Sequence, residues 1–121
     1  MTDDKFYQKV LMEHYKNPKC KKKINDPDFS SGHDNPACGD QLSIEGKVKD
    51  GVVTEIGFEG SGCVISMAAA SMLTDYCLGK TVKELLNLTK DDILKMIGVQ
   101  LGPNRLHCAL LSLEALHKAL K

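Results

Sequence analysis

The sequence predicts an α+β fold, a small antiparallel β-sheet with helices packed on one side. Three observations point to it. Residues 41–48 alternate, with Leu42, Ile44, Gly46 and Val48 on one strand face and Gln41, Ser43, Glu45 and Lys47 on the other. Asp50-Gly51 then supplies a hairpin turn, because both residue types tolerate positive φ. From Val64 onward the apolar spacing becomes helical and is punctuated by Gly79, Gly98 and Pro103. At 121 residues, the expectation is one domain spanning 1–121.

Residues 3–15 read as a first helix with Phe6, Val10, Leu11 and His14 near one face. Asn17-Pro18 ends it, since a residue before proline is pushed out of helical geometry. Residues 19–36 hold Pro27, Gly32 and a serine pair with little periodicity, so they read as a long loop. After the turn, residues 52–59 return as a strand with Thr54, Ile56 and Phe58 on one face. A third strand is compatible with the composition but has no clear place. The next helix packs through Ile65, Ala68, Ala69, Met72 and Leu73, and its small residues permit close approach to the sheet. Thr81-x-x-Glu84 is a capping-box pattern for a short helix ending about Leu86. Residues 89–97 form another, closed by Gly98. The last helix follows Pro103 with Leu106, Leu110, Leu113, Leu116 and Leu120 as its stripe.

Sixteen basic and sixteen acidic residues leave no net charge, which argues against nucleic acid as the main partner. The basic run in residues 19–23 is the local exception; it reads as a solvated loop or a docking surface for an acidic protein. The opening Met1-Thr2-Asp3-Asp4 does not resemble a signal peptide, and no stretch is long and apolar enough to span a bilayer. A cytoplasmic location without a membrane partner is therefore expected. There thiols stay reduced, and five cysteines read as metal-binding or catalytic rather than disulfide-linked.

Cys38, Cys63 and Cys108 each stand at an element boundary, too far apart for a local finger. Cys63 follows Gly60-Ser61-Gly62 and opens a helix, where free N–H groups and the helix dipole favour a thiolate. Cys108 falls near the start of the last helix, and Cys38 in a Pro/Gly turn. Asp40 reads either as a turn cap or as a fourth ligand, harder than thiolate and weaker toward iron in a sulfide cluster. His107 is a possible imidazole ligand or proton donor. His14, His33 and His117 have weaker claims, His33 as an alternate ligand. Cys77 reads as a core residue and Cys20 as an exposed loop residue.

Three motifs then resemble those of the IscU/NifU-N-terminal/SufU family of iron–sulfur cluster assembly scaffolds. They are Asn35-Pro36-Ala37-Cys38-Gly39-Asp40, Phe58-Glu59-Gly60-Ser61-Gly62-Cys63 and Leu106-His107-Cys108. His14-Tyr15-Lys16-Asn17-Pro18-Lys19 is similar to the family's N-terminal signature. The resemblance covers almost the whole chain. It implies that Cys38, Cys63 and Cys108, with Asp40 or His107, hold a transient [2Fe-2S] cluster. Sulfur would come from a cysteine desulfurase, and the cluster would pass to apo-proteins or carriers, without enzymatic turnover. The same resemblance nominates Cys108, then Cys38, as persulfide acceptor.

Two features depart from individual branches. Members served by an Hsp70-type chaperone carry Leu-Pro-Pro-Val-Lys where this chain has Leu101-Gly102-Pro103-Asn104-Arg105, which argues against that partner. SufU members carry an insertion between the second and third cysteines, and lysine rather than histidine before the third. This chain lacks the insertion and has His107, although the helix after Cys63 is SufU-like. The alternative expectation is accordingly a zinc-dependent sulfurtransferase, with Zn²⁺ on the same residues.

Overall fold

The computed structural model describes residues 4–35, 39–98 and 102–121. The order is α1 (Asp4–Lys16), β1 (Phe29–Asn35), β2 (Asp40–Lys49), β3 (Val52–Ser61), α2 (Val64–Cys77), α3 (Val82–Leu86), α4 (Lys90–Ile97) and α5 (Pro103–Leu120). The three strands form one antiparallel sheet in the order β1-β2-β3. Asp50 and Gly51, at φ 54° and 79°, make the two-residue turn between β2 and β3.

The third strand falls inside the segment expected to be a loop. β1 pairs with β2 from Phe29↔Gly46 to Asn35↔Asp40, although Ser-Ser-Gly-His has no strand-like alternation. Its partner imposes the extended backbone, because strand propensity is mostly a matter of neighbours. A register shift between Lys47 and Val48 also changes the phase of β3. Val53, Ile56 and Phe58 are buried, whereas Thr54, expected beside them, is exposed. A bulge of this kind puts an extra residue into the period-two pattern.

Leu42, Ile44, Val53, Ile56 and Phe58 enter one core together with the helices. α2 lies at its centre, and Ile65 through Thr74 are all buried. The predicted stripe understated this, since α2 touches β3, α1, α4 and α5 at once. On α5, Cys108, Leu111, Leu113 and Leu116 are buried, while Leu106, Leu110 and Leu120 are half-buried. That helix packs against α2 and the sheet together, so its buried face is wider than the leucine stripe. Thr81 and Thr89 cap α3 and α4 through reciprocal capping boxes with Glu84 and Asp92. On α1, Leu11 is buried and His14 Nδ1 lies 2.8 Å from Ser71 Oγ of α2; Phe6 is outside the described side chains.

Cys77 is fully buried, as expected, but so is Cys20, against expectation. The segment carrying Cys20 wraps the edge of β3. The Cys20 carbonyl accepts the Phe58 N–H at 2.8 Å, and its thiol donates to Asp75 Oδ1 at 3.5 Å. The lysines flanking Cys20 hid this anchor from a reading by composition.

Burial, with a smaller contribution from nearby Cys20, pushes the Cys77 thiol up to about 12 from 9.0. Between those values the unfolded chain gives up a proton that the folded chain keeps. The group's contribution is therefore complete below 9.0 and is lost as pH rises toward 12. Urea unfolding in that window should show stability falling by up to about 1.4 kcal/mol per pH unit from this group. The Cys77→Ala variant should be flatter by the same slope; parallel slopes would assign the proton elsewhere.

Candidate metal centre

Strand phase aims Asp40 inward. It opens β2 on the same face as Leu42 and Ile44 and is 2% exposed. Pairing of Gln41 with Ser61 and Leu42 with Gly60 brings the end of β3 beside it. The chain then turns through Gly62 into α2, with Cys63 as N-cap. Asp40 Oδ1 accepts the Cys63 N–H at 3.0 Å, and Oδ2 lies 3.7 Å from the Cys63 sulfur.

Cys63 therefore has two attachments. Its sulfur accepts the Ser66 N–H at 3.5 Å, serving as a helix cap, and the Ser66 hydroxyl donates to the Cys63 carbonyl at 3.0 Å. Cys63 is exposed, whereas Asp40 and Ser66 are buried beneath it. Space here is tight. A Cβ on Gly62 would stand 2.5 Å from Asp40 Oδ1 and 2.6 Å from Ser66 Oγ.

Cys108 completes the group from the buried side of α5, at 4% exposure. One ligand atom from each of Asp40, Cys63 and Cys108 lies within 4.8 Å of the other two. Among the described residues this is the group of His, Cys, Asp and Glu side chains that converges closely enough for one metal ion. Two sulfurs and a carboxylate oxygen fit zinc or iron, which accept both donor types, and leave coordination positions for further ligands.

His107 precedes Cys108 but is exposed and is not one of the three converging residues. Cys38 and the side chain of His33 lie outside the described residues. His117 is engaged elsewhere, with Nε2 2.9 Å from the Leu85 carbonyl. Cys20 and Cys77 sit apart at the other end of α2, and burial raises both thiols. Ser66 was not anticipated as a site residue. Its signal was available in the three-residue spacing from an N-cap, where the backbone N–H meets the capping atom.

The NifU-like N terminal domain family matches residues 6–121. The zinc-dependent sulfurtransferase SufU of Bacillus subtilis is 37% identical over 132 residues, covering 95% of this chain and 89% of that protein. The iron–sulfur cluster assembly scaffold protein IscU 1 of Archaeoglobus fulgidus is 36% identical over 114 residues, covering 94% of this chain and 74% of its own. Among solved structures, a SUF-system scaffold protein from Fervidobacterium islandicum superposes with TM-score 0.82 at 24% identity, covering 98% of this chain and 99% of that one. A NifU-like N-terminal protein from Brucella abortus gives 0.76 at 22%, covering 97% and 93%. At those identities the structural likeness is one of fold.

Two variants test the geometry. Gly62→Ala should weaken Co²⁺ binding, followed by its sulfur charge-transfer absorption, by roughly tenfold or more, as loss of the groups around a ligand usually does. Wild-type affinity would mean that Asp40 and Ser66 can yield without cost. In the folded protein Cys63 should react with a chromogenic disulfide before Cys20 and Cys77, which should react only after denaturation. Early labelling of Cys77 would contradict its burial.

Proposed function

We propose that this chain, which belongs to the NifU-like N-terminal domain family, is a scaffold on which a [2Fe-2S] cluster is built and then released. The observation that carries the reading is the convergence of Asp40 with Cys63 and Cys108. A structural zinc site is usually closed by cysteine and histidine alone, and a carboxylate among the thiols suits a ligand set that must let go. The ligands proposed are Cys38, Asp40, Cys63 and Cys108, with His107 as the alternate to Asp40.

Sulfur arrives as a persulfide on a donor such as a cysteine desulfurase. An acceptor thiolate attacks the terminal sulfur; the new S–S bond forms as the donor's breaks, and the donor leaves as a thiolate. Cys108 is the first acceptor by family resemblance and Cys38 the second. Each sulfane sulfur becomes sulfide by taking two electrons from an external reductant. Recipients are apo iron–sulfur proteins or carriers, and the setting is cytoplasmic. No helix among the described residues is long and apolar enough to cross a membrane.

A second reading, a zinc-dependent sulfurtransferase, is favoured by the relative of that name, which matches over most of its length. Zn²⁺ on the same residues would hold the thiols as thiolates. The Cys63 N–H bond to Asp40 would keep that carboxylate oriented whether or not a metal is bound.

The deciding measurement is metal and acid-labile sulfide, with visible absorption, on protein isolated without oxygen and after reconstitution with iron and sulfide. About two irons and two sulfides per cluster, with absorption lost in Cys38, Cys63 or Cys108 variants, supports the scaffold. Retained zinc without labile sulfide favours the sulfurtransferase. Asp40→Ala should lengthen the lifetime of the reconstituted cluster several-fold; an unchanged decay would remove Asp40 from the release step.

A further inference from the structure

Lys21, Lys22 and Lys23 are exposed in succession between two buried anchors, Cys20 at 3% and Ile24 at 7% exposure. The segment is pinned on both sides of the sheet edge. The Cys20 thiol reaches Asp75 on the helical side, and its carbonyl accepts the Phe58 N–H from β3. The Ile24 N–H donates to Glu45 Oε1 at 3.0 Å. Three positive charges are thus presented on a backbone that is already ordered, which lowers the entropy lost when something binds them.

Three nearby carboxylates are engaged by other groups, while Asp26 is exposed beside the run. Glu45 receives Ile24, Asp75 receives Cys20, and Asp28 Oδ2 accepts the Val48 N–H at 2.8 Å. Among the described residues no ion pair holds Lys21, Lys22 or Lys23. By contrast, Lys19 shares a cavity of about 410 Å³ with Glu13 and Asp75.

We propose that Lys21, Lys22 and Lys23 form a docking surface for an acidic segment of a partner protein. Three observations favour protein over the other polyanions. The run contains no aromatic residue on which a base could stack. The chain as a whole is neutral, so a nucleic acid would meet only this small patch rather than a basic face. A lipid surface usually needs roughly four to eight basic residues; with Lys19 in the cavity shared with Glu13 and Asp75, three remain, and the flanking Asn25 and Asp26 offer nothing apolar to insert.

The surface is also remote from the metal centre. It is tied to α2 at Asp75, twelve positions beyond Cys63, or roughly 18 Å along a helix. A partner held there leaves Asp40, Cys63 and Cys108 open to a second protein. The proposal stands on this strap alone and does not depend on which metal the centre takes.

The test is fluorescence anisotropy with a labelled peptide of alternating glutamate and serine, using the full chain at low and physiological salt. The parent should bind in a salt-dependent manner. The triple variant K21Q/K22Q/K23Q should bind about tenfold more weakly, summing three modest charge contacts. The triple arginine variant should restore binding. Thermal melting and Co²⁺ binding should match the parent in both variants. Equal peptide binding by parent and glutamine variant would overturn the proposal, as would absence of binding by the parent. Tighter retention by anionic vesicles or single-stranded RNA would overturn it in favour of those surfaces. Aggregation of the glutamine variant with peptide binding intact would instead make the lysines guards of the sheet edge.

Discussion

The bond from the Cys63 N–H to the buried Asp40 carboxylate joins the two halves of this fold. Asp40 is 2% exposed on the inner face of β2, where a carboxylate without polar partners would be costly. The N–H it accepts belongs to the N-cap of α2, the helix about which the core is assembled. This one contact satisfies an acceptor in the sheet and a donor at the helix start, and it sets two groups capable of ligating a metal side by side. The crowding at Gly62 follows from it, because the backbone must pass close to both Asp40 and Ser66.

The cysteines divide along the length of α2. At its N-terminal end a sulfur is exposed and receives a backbone N–H, so it is accessible to a metal or to a reacting sulfur. Near its C-terminal end, burial raises the Cys77 and Cys20 thiols and keeps them protonated. Chemistry that handles iron, zinc or persulfide sulfur benefits from this division, because thiols in the core then compete little for the cargo. Cys108 is intermediate: it is buried, yet its sulfur belongs to the converging group.

The fold class was legible because its signals are local. Alternation in residues 41–48, the Asp50-Gly51 turn and the capping box at Thr81 act over a few residues, and each stands where the local pattern put it. Family motifs around Asp40, Cys63 and Cys108 could be recognised for the same reason. The less legible features depend on distant partners. β1 is a strand because β2 lies beside it, and Val53 replaces Thr54 in the core because a bulge resets the register. Cys20 is buried because Asp75 and Phe58, far along the chain, receive it.

Residue type and spacing along the chain thus specified the elements and the chemistry that each could carry. They could not specify which groups meet, since that depends on sheet register, helix packing and the direction of each side chain. Asp40 shows the difference. As a residue after a Cys-Gly turn, taken alone, it reads first as a turn cap and second as a ligand. The inward phase of β2 and the entry of α2 above it bring its carboxylate together with Cys63 and Cys108.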